Sequence, residues 1–214
     1  MSENLEYVIA GYKKFRQKYF QSDNQLYEDL KNGQSPKILV IACSDSRVDP
    51  AIILNCKPGD LFVVRNVANL VPPYENDSGH HGTSAALEFA VLSLGIKHII
   101  ILGHSSCGGI QALVQDPSKM QEENFISRWM EIAQPALQKT LENYPHQSIE
   151  KQVGNCAKFA LINSLNNLFT FPWIKEKVAS KELFLHSWYF NIDSGIIEEF
   201  DSKTENFTEL QIDS

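Results

Sequence analysis

The run Lys37-Ile38-Leu39-Val40-Ile41-Ala42-Cys43-Ser44-Asp45-Ser46-Arg47 decides the architecture. Its first half is an unbroken apolar stretch with β-branched side chains, the pattern of a strand buried on both faces. Three chemically active residues, Cys43, Asp45 and Arg47, follow directly. A second run, His98-Ile99-Ile100-Ile101-Leu102, repeats the design and leads into Gly103-His104-Ser105-Ser106-Cys107-Gly108-Gly109. If both are strands of one open α/β sheet, their carboxyl ends share a rim, and ligands and chemistry collect at that rim.

Composition agrees with one such domain. The chain has 214 residues, of which 43% are hydrophobic, enough to bury a core without disulfides or repeats. Lys and Arg number 19 against 26 Asp and Glu, a net charge of -7 with no long basic run. That balance argues against a nucleic-acid surface, which needs clustered positive charge. Residues Met1 to Glu6 carry acids instead of a basic leader, and no apolar stretch approaches the roughly 20 residues that span a bilayer. These features predict a cytoplasmic protein with no membrane or nucleic-acid partner. Without a secretion signal, the four cysteines read as thiols or metal ligands. Cys43 and Cys107 have polar neighbours, whereas Cys56 and Cys156 read as small, mostly buried hydrophobes.

Working outward, Val8, Tyr12, Phe15 and Tyr19 recur at helical spacing, predicting a helix from about Leu5 to Phe20 and a shorter one over Gln25 to Leu30. This aromatic-rich arm has little left to pack on within one subunit, which hints at a partner. Val48 to Asn55 reads as a short helix with Pro50 in its first turn. Leu61 to Val64 reads as a second buried strand, leading to Arg65-Asn66-Val67-Ala68-Asn69. Val71 to Gly82 is a loop, Thr83 to Leu94 a helix capped at Gly95. Gly108-Gly109 opens a helix, Glu122 to Tyr144 and Val153 to Phe169 are helical, and Leu183 to Phe190 and Gly195 to Phe200 complete the sheet. The expected fold is a mostly parallel central sheet, four parallel strands plus an antiparallel edge strand, flanked by helices. One domain spans 1–214, with a helical arm over 1–33 and an α/β core over 34–214.

Cys43, His104 and Cys107 together have the composition of a catalytic zinc site: three soft or borderline ligands with a fourth position open, where a structural site would close the tetrahedron. Taken separately, either cysteine is equally well an ordinary strand-end residue. Asp45 and Arg47 change that balance, because an unpaired carboxylate beside a thiolate is costly. An aspartate held by a bidentate arginine can accept a hydrogen bond from a metal-bound hydroxide and orient it. Two thiolates cancel the charge of Zn2+, so bound water should be less acidic than the pKa of about 7 of an all-histidine site.

The segment Cys-x-Asp-x-Arg after one strand, Gly-His-x-x-Cys-Gly-Gly after a later one, and Arg-Asn-x-Ala-Asn between them resemble the β-class carbonic anhydrases, in their bacterial, plant-like branch. The specific motifs run from about Gly33 to Gly109. The resemblance implies one Zn2+ per chain on Cys43, His104 and Cys107, with Asp45 and Arg47 as the dyad orienting zinc-bound hydroxide for attack on carbon dioxide, giving bicarbonate. It also implies substrate contacts from Gln34, Phe62, Val67, Phe89 and the Gly108 amide, and a homodimer or homotetramer with active sites at the dimer interface. Phe62 and Val67 read equally well as core residues, whatever the substrate.

Two positions depart from the family pattern. Phe89 stands where a tyrosine is common, removing one hydroxyl from the pocket. Val40 stands where the bicarbonate-regulated branch carries tryptophan, so that branch's inhibitory site is expected to be absent. Other readings are hydrolysis of carbonyl sulfide or carbon disulfide on the same scaffold, and a non-catalytic zinc protein, which would not need Asp45 and Arg47. His80 and His81 could relay protons, but a solvated loop position explains them as well.

Overall fold

The computed structural model describes residues 3–22, 25–116 and 124–211. The chain divides into two compact units, Met1–Ser35 and Pro36–Ser214. In the first, helix α1 (Glu3–Arg16) passes into a π-helical turn over Gln17–Ser22, followed by α2 (Gln25–Leu30). Phe15, Tyr19, Phe20 and Tyr27 form a small aromatic cluster, with ring centroids as close as 4.8 Å. Tyr7 and Tyr12 remain exposed.

The second unit starts with β1 (Ile38–Cys43), the predicted apolar run, and continues through α3 (Pro50–Ile53), β2 (Leu61–Asn66) and α4 (Gly82–Glu88). The α4 stripe extends as a π-helical turn over Phe89–Ser93 and stops at Gly95, whose φ of 62° suits glycine. Then come β3 (His98–His104), α5 (Gly108–Gln115), α6 (Phe125–Met130), α7 (Gln134–Asn143), α8 (Ile149–Leu168) and α9 (Pro172–Ala179). Strands β4 (Phe184–Phe190), β5 (Ile197–Asp201) and β6 (Asn206–Glu209) finish the unit. The helix expected over Glu122 to Tyr144 is α6 and α7 joined by a 3-10 turn, and Glu122 and Glu123 fall outside the described residues. No helix among the described residues is long and apolar enough to cross a membrane.

The six strands form one sheet in the order β2-β1-β3-β4-β5-β6, parallel from β2 to β4 and antiparallel beyond. The sheet therefore has two antiparallel strands instead of the single one expected. Strand β6 is invisible to a hydrophobic pattern because Phe207 is its only inward apolar residue, set among Asn206, Thr208 and Glu209. It is held by pairing with β5, Phe207 opposite Phe200.

Period-two alternation divides each central strand between two layers. Leu39, Ile41, Ile99 and Ile101 enter the large core, shared with Leu113, Met130, Leu137, Leu161 and Phe171, while Val40, Ala42, Ile100 and Leu102 form a smaller cluster on the other face. At Gly103, an added Cβ would sit 3.0 Å from the Leu161 side chain, so the missing side chain is what lets α8 lie against the last turn of β3. Gly103→Ala should cost about 1–3 kcal/mol through overpacking. A urea unfolding midpoint lowered with an unchanged slope checks this, and an unaltered midpoint would mean that Leu161 gives way freely.

Candidate metal centre

Strand order fixes where a site can form. From β1 the chain moves to β2 on one side, then crosses to β3 on the other, so the loops leaving β1 and β3 diverge and open a crevice at their carboxyl ends. Parallel register pairs Ala42 with Leu102, which brings Cys43 level with Gly103 and next to His104. Residues far apart in sequence thus meet without a hairpin.

The turn after β3 brings in the third group. Ser106 takes a left-handed conformation, φ 55°, unusual for a side chain with a Cβ and a sign of a constrained turn. It returns the chain so that Cys107 becomes the N-cap residue of α5, at the positive end of that helix. The Cys43 and Cys107 sulfurs are 3.9 Å apart, too far for a disulfide and close to the separation of two sulfurs about 2.3 Å from a tetrahedral centre. Ligand atoms of Cys43, His104 and Cys107 all lie within 4.8 Å of one another, and all three residues are buried.

His104 supplies the decisive test of fit. Its Nδ1 donates to the Ser105 carbonyl at 2.8 Å, fixing the tautomer in which Nε2 carries a lone pair. Nε2 is buried and has no hydrogen-bond partner. An orphaned acceptor beside two thiols is expensive unless a cation satisfies it. The thiols behave accordingly. The Cys107 thiol, hydrogen-bonded to the Cys43 sulfur, brings Cys43 down to about 4 against the cost of burial, while the Cys43 sulfur, aided by burial, drives Cys107 far above the ordinary thiol range. A dication between them would displace the proton they share. By contrast, Cys156 is fully buried, which pushes its thiol up to about 11, and Cys56 is partly buried, its thiol donating to the Leu54 carbonyl, so neither cysteine belongs to the cluster.

Asp45 and Arg47 sit on the loop leaving β1. Arg47 Nε donates to Asp45 Oδ1 at 2.9 Å and its NH2 group to Oδ2 at 2.7 Å, while the Arg47 amide adds a second bond to Oδ1 at 3.0 Å. Arg47 NH2 also reaches the Ser106 carbonyl at 3.1 Å, tying this loop to the turn after β3. The guanidinium holds the Asp45 carboxyl well below the usual carboxylate range. Asp45 Oδ2 lies 4.0 Å from His104 Nε2.

Arg65 is a residue whose part the sequence left unstated. It donates to the Cys43 carbonyl at 3.0 Å, to the Asp45 carbonyl at 2.7 Å and to Asp49 Oδ2 at 3.0 Å, clamping the loop that carries Cys43, Asp45 and Arg47. Its position in Arg-Asn-x-Ala-Asn, at the end of a strand paired with β1, was the available signal. Beyond it, Val67 packs against the start of α5, since a Cβ on Gly109 would come within 3.0 Å of it, and its carbonyl accepts from Trp129 Nε1 at 2.7 Å. Phe62 and Phe89 rings are 5.9 Å apart; Val67 and Phe89 are 37% and 47% exposed. Gly108 is the first residue of α5. Gln34 belongs to the N-terminal unit.

Comparison with known proteins agrees with this geometry. The carbonic anhydrase family model matches residues 38–197. Beta carbonic anhydrase 5, chloroplastic, from Arabidopsis thaliana is 43% identical over 189 residues, 88% of this chain and 61% of that relative, so the chain spans about three fifths of its length. The carbonic anhydrase of Synechocystis sp. (strain ATCC 27184 / PCC 6803 / Kazusa) is 36% identical over 207 residues, 97% of this chain and 75% of the relative. Among solved structures, the β-carbonic anhydrase CcaA matches with a TM-score of 0.92 and 35% identity, covering 99% of this chain and 94% of that one. A tetrameric β-carbonic anhydrase from Sordaria macrospora matches with a TM-score of 0.79 and 28% identity over 92% of this chain and 97% of its own. Strand order, the buried Cys-His-Cys cluster and these matches together make the chain a member of the β-class carbonic anhydrase family.

Proposed function

We propose that this protein hydrates carbon dioxide reversibly to bicarbonate and a proton, with one zinc ion on Cys43, His104 and Cys107. The observation that carries the reading is Asp45 Oδ2, which stands 4.0 Å from His104 Nε2 with acceptor capacity to spare. Zinc, when bound, supplies the Lewis acidity that makes water a nucleophile near neutral pH.

The chain's own residues then position the reactants. Asp45 Oδ1 already accepts two hydrogen bonds, from the Arg47 amide and Nε, whereas Oδ2 accepts one, from Arg47 NH2. The remaining lone pair of Oδ2, on the side of the cluster, accepts the O–H of the attacking group. Because Arg47 holds Asp45 ionised, the carboxylate acts only as an acceptor, which turns an oxygen lone pair toward the substrate. The oxygen forms a bond to carbon, one C=O electron pair moves onto oxygen, and the proton lost by water passes to solvent.

Carbon dioxide has no net charge or dipole, so an apolar wall with one donor suits it. Phe62, Val67 and Phe89 offer that wall and the Gly108 amide the donor, while Gln34 enters this assignment by family resemblance alone. Val67 and Phe89 are too exposed in one chain to enclose a substrate, which supports a homodimer whose partner covers the pocket. The tetrameric relative supports a further pairing of dimers, with the N-terminal arm serving assembly in a single-domain protein. All four cysteines are free, in keeping with a reducing cytoplasm.

Asp45→Asn preserves shape and one acceptor oxygen but presents an N–H2 to Arg47 or to the attacking group. Zinc should stay at one per chain while carbon dioxide hydration falls on the order of 100-fold; undiminished hydration would remove Asp45 from the mechanism. Cys107→Ala should purify with far less than one zinc per chain by elemental analysis, and full occupancy in that variant would exclude Cys107 as a ligand.

A further inference from the structure

Outside the centre already described, metal-ligating side chains gather at two places among the described residues. Glu75, Asp77 and His81 meet on an exposed loop, where the Asp77–His81 hydrogen bond of 2.7 Å accounts for their proximity. The other gathering is built on the sheet. His98 on β3, His186 on β4 and Glu199 on β5 share one face, each diagonal to the next in the strand register, which pairs Ile100 with His186 and Trp188 with Glu199.

Three features of this trio belong to a metal site. The Glu199 carboxylate accepts from His186 Nδ1 at 2.9 Å, so the His186 proton is on Nδ1 and the lone pair on Nε2, the carboxylate–histidine arrangement found behind ligating imidazoles. That Nε2 accepts a hydrogen bond from His98 Nδ1, 3.1 Å away. Two nitrogens about 2.0–2.1 Å from a tetrahedral ion stand roughly 3.3 Å apart, so the rings need to part only slightly to admit one. The rings are also held in place: His98 stacks on Phe184 with centroids 5.4 Å apart, and His186 meets the Trp188 edge at 6.1 Å. Burial, and secondly the neighbouring His186, keep the His98 imidazole in its neutral, ligating form.

We propose that His98 Nδ1 and His186 Nε2 form a second binding site for a zinc-class dication, Zn2+, Co2+ or Ni2+, with Glu199 holding His186 in the ligating tautomer. Entry of the ion moves the shared proton from His98 Nδ1 to its Nε2. Water completes the coordination, since the His186 and Glu199 side chains are 28% and 36% accessible. The site is independent of the first: His98 and His104 occupy opposite ends of the seven-residue β3, roughly 20 Å apart along the strand.

Calorimetric titration of the zinc-loaded protein with further Zn2+ tests this. One additional equivalent should bind per chain, disappear in His98→Ala and in His186→Ala, and weaken about 10- to 100-fold in Glu199→Gln. It should persist in His81→Ala, and carbon dioxide hydration should be unchanged in His98→Ala, His186→Ala and Glu199→Gln, with far-UV circular dichroism reporting an intact fold. Absence of a second equivalent would overturn the proposal. So would a second equivalent that survives both His98→Ala and His186→Ala or is lost in His81→Ala.

Discussion

The parallel pairing of β1 with β3 is the constraint on which the rest depends. Ala42 opposite Leu102 determines that Cys43 meets the His104 turn, and a slip of one residue would turn each strand's side chains to the opposite layer. The two-layer division of Leu39 and Ile41 from Val40 and Ala42 resists that slip, because both faces of β1 are buried. Core packing thereby sets the distance between the two motifs.

The cluster so assembled is poorly suited to an apolar interior by itself. Two thiols, an imidazole nitrogen without a partner and a carboxylate held ionised lie within a few ångströms, and each would be cheaper in water. Around them the fold spends its polar contacts on position. Arg65 fixes the backbone carbonyls of Cys43 and Asp45, Arg47 joins Asp45 to Ser106, and the Ser105 carbonyl selects the His104 tautomer. Contacts of this kind make a metal centre rigid, and in the proposed reaction they would hold the acceptor oxygen of Asp45 toward the reacting group.

Much of this was legible in the residues. Unbroken apolar runs marked β1 and β3, and the motifs after them named Cys43, Asp45, Arg47, His104 and Cys107 because strand ends in such sheets collect reactive groups. Hydrophobic pattern carries no information where a strand is held by backbone pairing, so β6 escaped notice with only Phe207 to mark it. Roles played through the backbone were equally hidden. Arg65 acts on carbonyl groups and Ser106 through a left-handed φ, and neither leaves a side-chain signature beyond its place in a motif. His98 and His186 lie far apart in the chain, each inside an apolar strand, and only the register of β3 and β4 brings their rings together.

Stopped-flow measurement of carbon dioxide hydration, made on protein reconstituted to graded zinc contents, tests the central claim most directly. The rate should rise in proportion to zinc up to one ion per chain and stay level when more is added. A protein carrying one zinc per chain that hydrates carbon dioxide no faster than buffer would contradict the account.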